Sequence, residues 1–140
     1  MTTLKGNKDL VHRLYNTLMA RGDVDSANQI LADDYIDHDL PGIGEGGKVQ
    51  LIQVVQGVRA SLPDITPTLY ETLAEDDLVS VRVIARGTHR RALPTRHSGS
   101  GSDDGVEGDS YFRCRNGQIA ERWGVFDMLS ILQQLGAIPA

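Results

Sequence analysis

The sequence predicts an α+β fold, with helices covering one face of an antiparallel β-sheet. Three observations carry that prediction. Apolar residues recur at helical spacing as far as Leu62, switch to a period of two after Pro67, and end in two strand-like runs joined by Asn116-Gly117. Helices gathered early and strands gathered late are the pattern of segregated α+β domains. Asn-Gly is the dipeptide most at home in a tight hairpin turn, because both of its residues tolerate positive φ.

Each element follows from local pattern. Leu10, Val11, Leu14, Tyr15, Leu18 and Met19 share one helical face, and Arg21-Gly22 ends it. Asp23 is placed to cap a second, shorter helix carrying Val24, Ala27, Ile30 and Leu31. The run Asp33 to Asp39 reads as a short strand, and Leu40 to Gly47 as a glycine-rich loop. Leu51, Ile52, Val55, Val58 and Leu62 form a third helix that Pro63 terminates. Thr66, Thr68, Tyr70 and Thr72 then alternate with Leu69, Glu71 and Leu73. After a turn at Glu75-Asp76-Asp77, residues Val79, Val81, Val83, Ala85, Gly87 and His89 occupy one face of a strand. Residues 90–108, with Ser98-Gly99-Ser100-Gly101-Ser102 at their centre, read as a flexible loop. Tyr111 to Arg115 resumes strand character and pairs through Asn116-Gly117 with a last strand. Simple alternation puts Ile119, Glu121, Trp123, Val125 and Asp127 on the pocket-facing side of that strand and Arg122 on the other, where an acidic neighbour or a dimer interface would pair it. Met128, Leu129, Leu132 and Leu135 make a closing amphipathic helix, with Gly136 as its stop.

Composition narrows the function classes. A chain of 140 residues is one domain's worth, read here as a single domain over 1–140, and large enough to bury a core. A net charge of −5 offers no basic field for nucleic acid. No apolar run approaches the ~20 residues needed to span a bilayer, and the polar N-terminus lacks a signal-peptide core, so a cytoplasmic protein is expected. The single cysteine, Cys114, reads as a buried structural thiol. Gly42, Gly44, Gly46 and Gly47 lack the spacing of a nucleotide loop, and no His, Cys or carboxylate set has metal-ligand spacing, so neither cofactor nor metal is expected.

The residues able to move protons are few. His89 shares its predicted face with Val79, Val81 and Val83, where an imidazole could act as acid or base; the bland alternative is a satisfied histidine at a strand end. Asp37 and His38 must point to opposite sides of a strand, so at most one reaches a cavity. Asp127 shares parity with Trp123 but is equally a helix cap. Trp123 reads as pocket wall or core, and Tyr15, Tyr35, Tyr70 and Tyr111 could each hydrogen-bond an oxyanion.

Taken together, Asp34-Tyr35-Ile36-Asp37-His38-Asp39, Leu62-Pro63-Asp64, Asp76 to Arg82, Gly87-Thr88-His89-Arg90, Pro94-Thr95, Gly117 to Trp123 and Gln134-Leu135-Gly136 resemble the SnoaL-like family of the NTF2-like superfamily. The resemblance implies a cone in which N-terminal helices sit on the concave face of a curved sheet. It also implies a hydrophobic cavity for a small apolar molecule, a homodimer, no metal, and a carboxylate acting as general acid/base in polyketide cyclisation. Catalytic candidates on this footing are His89, Asp127, His38 and Asp37, with Trp123, Tyr35, Tyr15 and Tyr111 lining the substrate. Family members usually carry Glu-His-Trp-Asp in the last strand, where this chain has Glu121-Arg122-Trp123-Gly124. The expected function is therefore cyclase- or isomerase-type acid/base chemistry on an apolar carbonyl compound. A hydratase or epoxide hydrolase, or a non-catalytic ligand-binding or dimerisation module, are the alternatives.

Overall fold

The computed structural model describes residues 3–88, 103–127 and 129. His89 and the predicted closing helix after Met128, Leu129 excepted, lie outside the described residues, as does the part of the predicted loop from 90 to 102.

Helix α1 (Leu4–Leu14) starts on a Thr3 cap, whose hydroxyl accepts from the Gly6 amide at 2.9 Å. It runs directly into a π-helical turn, Tyr15–Met19. Arg59 donates to the Met19 and Ala20 carbonyls at 2.8 and 2.9 Å, satisfying acceptors that a helix end would leave unpaired. Helix α2 (Val24–Ile30) is capped by Asp23 as predicted, through the Ser26 amide at 3.1 Å and the Ser26 hydroxyl at 2.7 Å. Strand β1 (Leu31–Leu40) is ten residues long and folds back into β2 (Gly44–Gly46), so the glycine-rich segment is a hairpin tip with a strand in it. Then come α3 (Lys48–Ser61), β3 (Thr66–Glu75), β4 (Leu78–Thr88), β5 (Asp103–Arg115) and β6 (Gln118–Phe126).

The sheet is curved, open and ordered β2-β1-β6-β5-β4-β3. Strands β3 to β6 form the expected antiparallel meander, with Asn116 and Gly117 at φ 54° and 76° in the last turn. The chain enters β1 from α2 and pairs parallel with β6, so the sheet is mixed. The three helices pack their apolar faces on the inner side, around Val11, Leu31, Val79, Val81, Phe112 and Ile119. Among the described residues no helix is long and apolar enough to cross a membrane.

Three departures from simple alternation change which side chains face inward. Residues 103–108, predicted as loop, extend β5: Asp103 pairs with Thr88 and Gly108 with Val83. Glycines that look like linker are packing sites here, since a Cβ on Gly108 would sit 2.9 Å from the Phe126 ring. Second, Cys114 pairs with Ile119 but Arg113 with Glu121, which leaves Ala120 as an extra residue. A bulge of this kind reverses strand parity beyond it. Ile119 is inside before the bulge; after it, Arg122 is inside and Trp123 is not. A similar shift between Leu69 and Thr72 turns Leu73 outward, 69 % exposed.

Candidate active site

Between the inner face of the sheet and the helices lies a cavity of about 580 Å³. Leu14, Leu18 and Met19 line it from the helical side, Val54, Val55 and Val58 from α3, Leu62 from the residue after it, and Val83, Ala85, Phe112 and Phe126 from the sheet. The π-helical turn brings Tyr15 into the same wall; extra residues of this type in helices recur at functional sites. Among the described lining residues Arg122 is the only charged one, and with Tyr15 and Ser110 it makes a polar end to an otherwise largely apolar space.

That polar end is tightly organised. Arg122 Nη1 donates to Asp37 Oδ1 at 2.9 Å, and Nη2 donates to Ser110 Oγ at 2.9 Å. Asp37 is fully buried and does not line the cavity. Its Oδ1 also accepts the Asp39 amide at 3.0 Å, and its Oδ2 accepts the Tyr35 hydroxyl at 2.8 Å. Asp39 in turn accepts the Gly124 amide at 2.9 Å, tying β1 to β6 beneath the guanidinium. Burial works against the Arg122 charge, but Tyr15, Asp37 and Tyr35 outweigh it and hold the pKa above the ordinary arginine value. Burial raises the Tyr15 pKa, opposed by the neighbouring Arg122 charge and Ser110 hydroxyl. Tyr35 is raised by burial and by Asp37. Both phenols therefore remain protonated donors near neutral pH, beside a permanent cation.

Gly124 explains how the guanidinium fits. Ser110 and Gly124 are directly paired across β5 and β6, and Arg122 lies two residues earlier on the same face. A Cβ at Gly124 would stand 2.5 Å from Arg122 Nη2 and 2.7 Å from Ser110 Oγ. The arginine head occupies the space that a side chain at 124 would need.

The other sequence candidates go elsewhere. The expectation that Trp123, Tyr111 and Asp127 face the cavity is corrected by the Ala120 bulge and by strand parity in β5. Trp123 stacks on Tyr111 at 4.8 Å and on His38 at 4.9 Å, all on the outer face. His38 Nε2 lies 2.6 Å from Glu121 Oε2 and its Nδ1 3.3 Å from Glu45 Oε2, so it joins β1, β2 and β6 on that face instead of touching the cavity. Asp127 is exposed at the end of β6, where its amide donates to the Glu107 carbonyl at 3.1 Å. Asp37 and His38 do point to opposite sides, Asp37 inward. Arg122 and Ser110 are the residues that sequence reasoning passed over. The available signal is that Arg122 and Gly124 stand where the family resemblance implies His and Asp.

His38 carries a pH signature. The hydrogen bond to Glu121 is the largest influence and raises its pKa above 6.5, with Glu45 adding to it. A histidine whose folded pKa is raised stabilises fully below the unfolded value and loses that contribution as pH rises through the folded one. His38→Gln should therefore lower the melting temperature most near about pH 6, with the gap to wild type closing by about pH 9. Melting curves across that range read it directly, and a gap that widens with pH would contradict the assignment.

Residues 9–135 match the family model described as SnoaL-like polyketide cyclase. The chain belongs to that family. Similar solved structures include IdmH from Streptomyces antibioticus, titled a "putative polyketide cyclase", at 28 % identity and TM-score 0.84, covering 93 % of this chain and 98 % of that one. AclR from Streptomyces galilaeus, a "putative hydroxylase", has 20 % identity and TM-score 0.85 over 98 % of this chain and all of its own. A "putative polyketide cyclase" from Acidithiobacillus ferrooxidans has 20 % identity and TM-score 0.83 over 99 % of this chain and 100 % of that one. The last two show the shared fold alone. No curated protein matches the chain. Within the SnoaL-like family, this chain presents a guanidinium at the polar end of its cavity.

Proposed function

We propose that this SnoaL-like chain is a cyclase- or isomerase-type enzyme acting on an apolar, carbonyl-bearing small molecule held in the cavity. The observation that carries the reading is the Arg122–Ser110–Tyr15 constellation at the polar end of an apolar space. Removing a proton beside a carbonyl, or forming a carbon–carbon bond to it, drives negative charge onto the carbonyl oxygen. Fixed donors aimed at that oxygen in a water-poor site stabilise the charge without reorganising. Tyr15 and Arg122 supply the donors, and Asp37 with Tyr35 positions the guanidinium. For the proton acceptor the candidate remains His89, which lies outside the described residues. His38, Asp127, Trp123 and Tyr111 have no part in the chemistry in this reading.

Tyr15→Phe removes one donor while keeping the ring that packs edge-on against Phe112 at 6.1 Å. The substrate being unidentified, the probe is a long-chain β-keto ester, with deuterium exchange at its α-carbon followed by NMR. Wild type should accelerate exchange, and Tyr15→Phe should lower that rate roughly 100- to 1000-fold. A probe that binds without accelerated exchange would favour a second reading, a non-catalytic ligand-binding module. That reading is supported by Asp37, whose oxygens are all engaged, so that among the described residues the polar end has no available carboxylate. A cytoplasmic homodimer completes the proposal. Tyr111, Leu73 and Val125, exposed on the outer face of the sheet, favour the dimer, and light scattering measures it.

A further inference from the structure

The charge balance of the polar end restricts what the cavity can hold. Arg122 would be an ideal partner for a carboxylic acid if it were unpaired, because a guanidinium matches a carboxylate with two parallel hydrogen bonds. It is already paired, with Asp37, which is fully buried and kept in place by the Tyr35 hydroxyl at 2.8 Å and the Asp39 amide at 3.0 Å. No other charged side chain among the described residues lines the cavity. An ionised ligand would therefore bring a second negative charge next to the first, in a low-dielectric space with one cation between them. A ligand carbonyl brings none, and can still accept from the remaining polar hydrogens of Tyr15, Ser110 or Arg122.

We propose that Asp37 is a specificity-determining residue, making the cavity select uncharged carbonyl compounds such as ketones, esters and amides over free carboxylic acids. The inference rests on the reading that this cavity is the ligand site. Selection of this kind works by repulsion as well as attraction: the wrong ligand is excluded by a like charge built into the wall. Asp37 touches no ligand itself and acts through Arg122.

Octanamide and octanoate test it, because they share length and carbonyl and differ in charge. Their affinities are measured on the whole chain at neutral pH by displacement of an uncharged fluorescent dye. Wild type should bind octanamide about tenfold or more tightly than octanoate. In Asp37→Asn the guanidinium is released from its counter-charge, so octanoate should tighten by about tenfold or more while octanamide changes little. Equal or tighter binding of octanoate by wild type would overturn the proposal even if Asp37→Asn failed to fold. So would an Asp37→Asn variant that folds and keeps the wild-type ratio. If neither compound displaces the dye from wild type, the ligand-site reading falls and the proposal with it. A cavity that binds both but favours the acid would leave that reading standing and remove only the role given to Asp37.

Discussion

Arg122→Ala is expected to destabilise the fold by about 3–5 kcal/mol, the range seen when one partner of a buried ion pair is removed. The cost comes less from the lost attraction than from Asp37, which remains buried with a charge and no cation. For a chain near this size, each kcal/mol shifts melting by roughly 2–4 °C, so a fall on the order of 10 °C should be visible in a simple melt. The double variant Arg122→Ala with Asp37→Asn supplies the control. It removes the stranded charge and should recover much of the loss, since a neutral amide is far cheaper to bury than a carboxylate. Denaturant titrations of the wild type, both singles and the double give the coupling between the two residues. A single-variant cost below about 1 kcal/mol, typical of solvent-exposed pairs, would mean that this pair is not buried.

Gly124→Ala is the second large effect, and here the sign itself is informative. In an open strand position, exchanging glycine for alanine gains roughly 0.5–1 kcal/mol by restricting the unfolded chain. At this position the added carbon would meet Arg122 Nη2 at 2.5 Å and Ser110 Oγ at 2.7 Å. Neither is the loose end of a surface side chain, because both are held in the hydrogen bond between them. Overpacking of this kind costs about 1–3 kcal/mol, which outweighs the backbone gain, so a net loss of stability is expected. The arginine must leave Ser110 to make room, and ligand binding at the polar end should weaken together with stability. Alanine that stabilises the protein and leaves binding intact would show that the guanidinium does not occupy this space.

Much of the fold is legible in the sequence because its signals are local. The period of α3, the Asp23 cap, the Asn116-Gly117 turn and the alternation from Val79 to Gly87 each depend on residues close in the chain. The site is less legible because it depends on register. Alternation extrapolated through Ala120 assigns Trp123 and Asp127 to the cavity and Arg122 to the outside, and one extra residue reverses the inner assignments. Ser110 is hidden for a different reason, since it falls between the predicted loop, which ends at 108, and the predicted strand, which begins at Tyr111. The parallel joining of β1 to β6 brings Asp37 under Arg122 across 85 positions, and no local pattern encodes that contact. What the sequence does carry is Arg122 two residues before Gly124, where the family resemblance implies a histidine and an acid.

The extra residue at Ala120 also governs how chains of this family can be compared. On its N-terminal side, odd-numbered β6 positions such as Ile119 belong to the interior; on its C-terminal side the even-numbered ones do, Arg122 and Gly124 among them. A homologue that lost the bulge would show the same letters in the same columns with their environments exchanged, its aromatic residue facing the ligand and its arginine facing water. Correspondence of function along this strand therefore holds between proteins that share the irregularity, and counting residues from a shared tryptophan does not establish it.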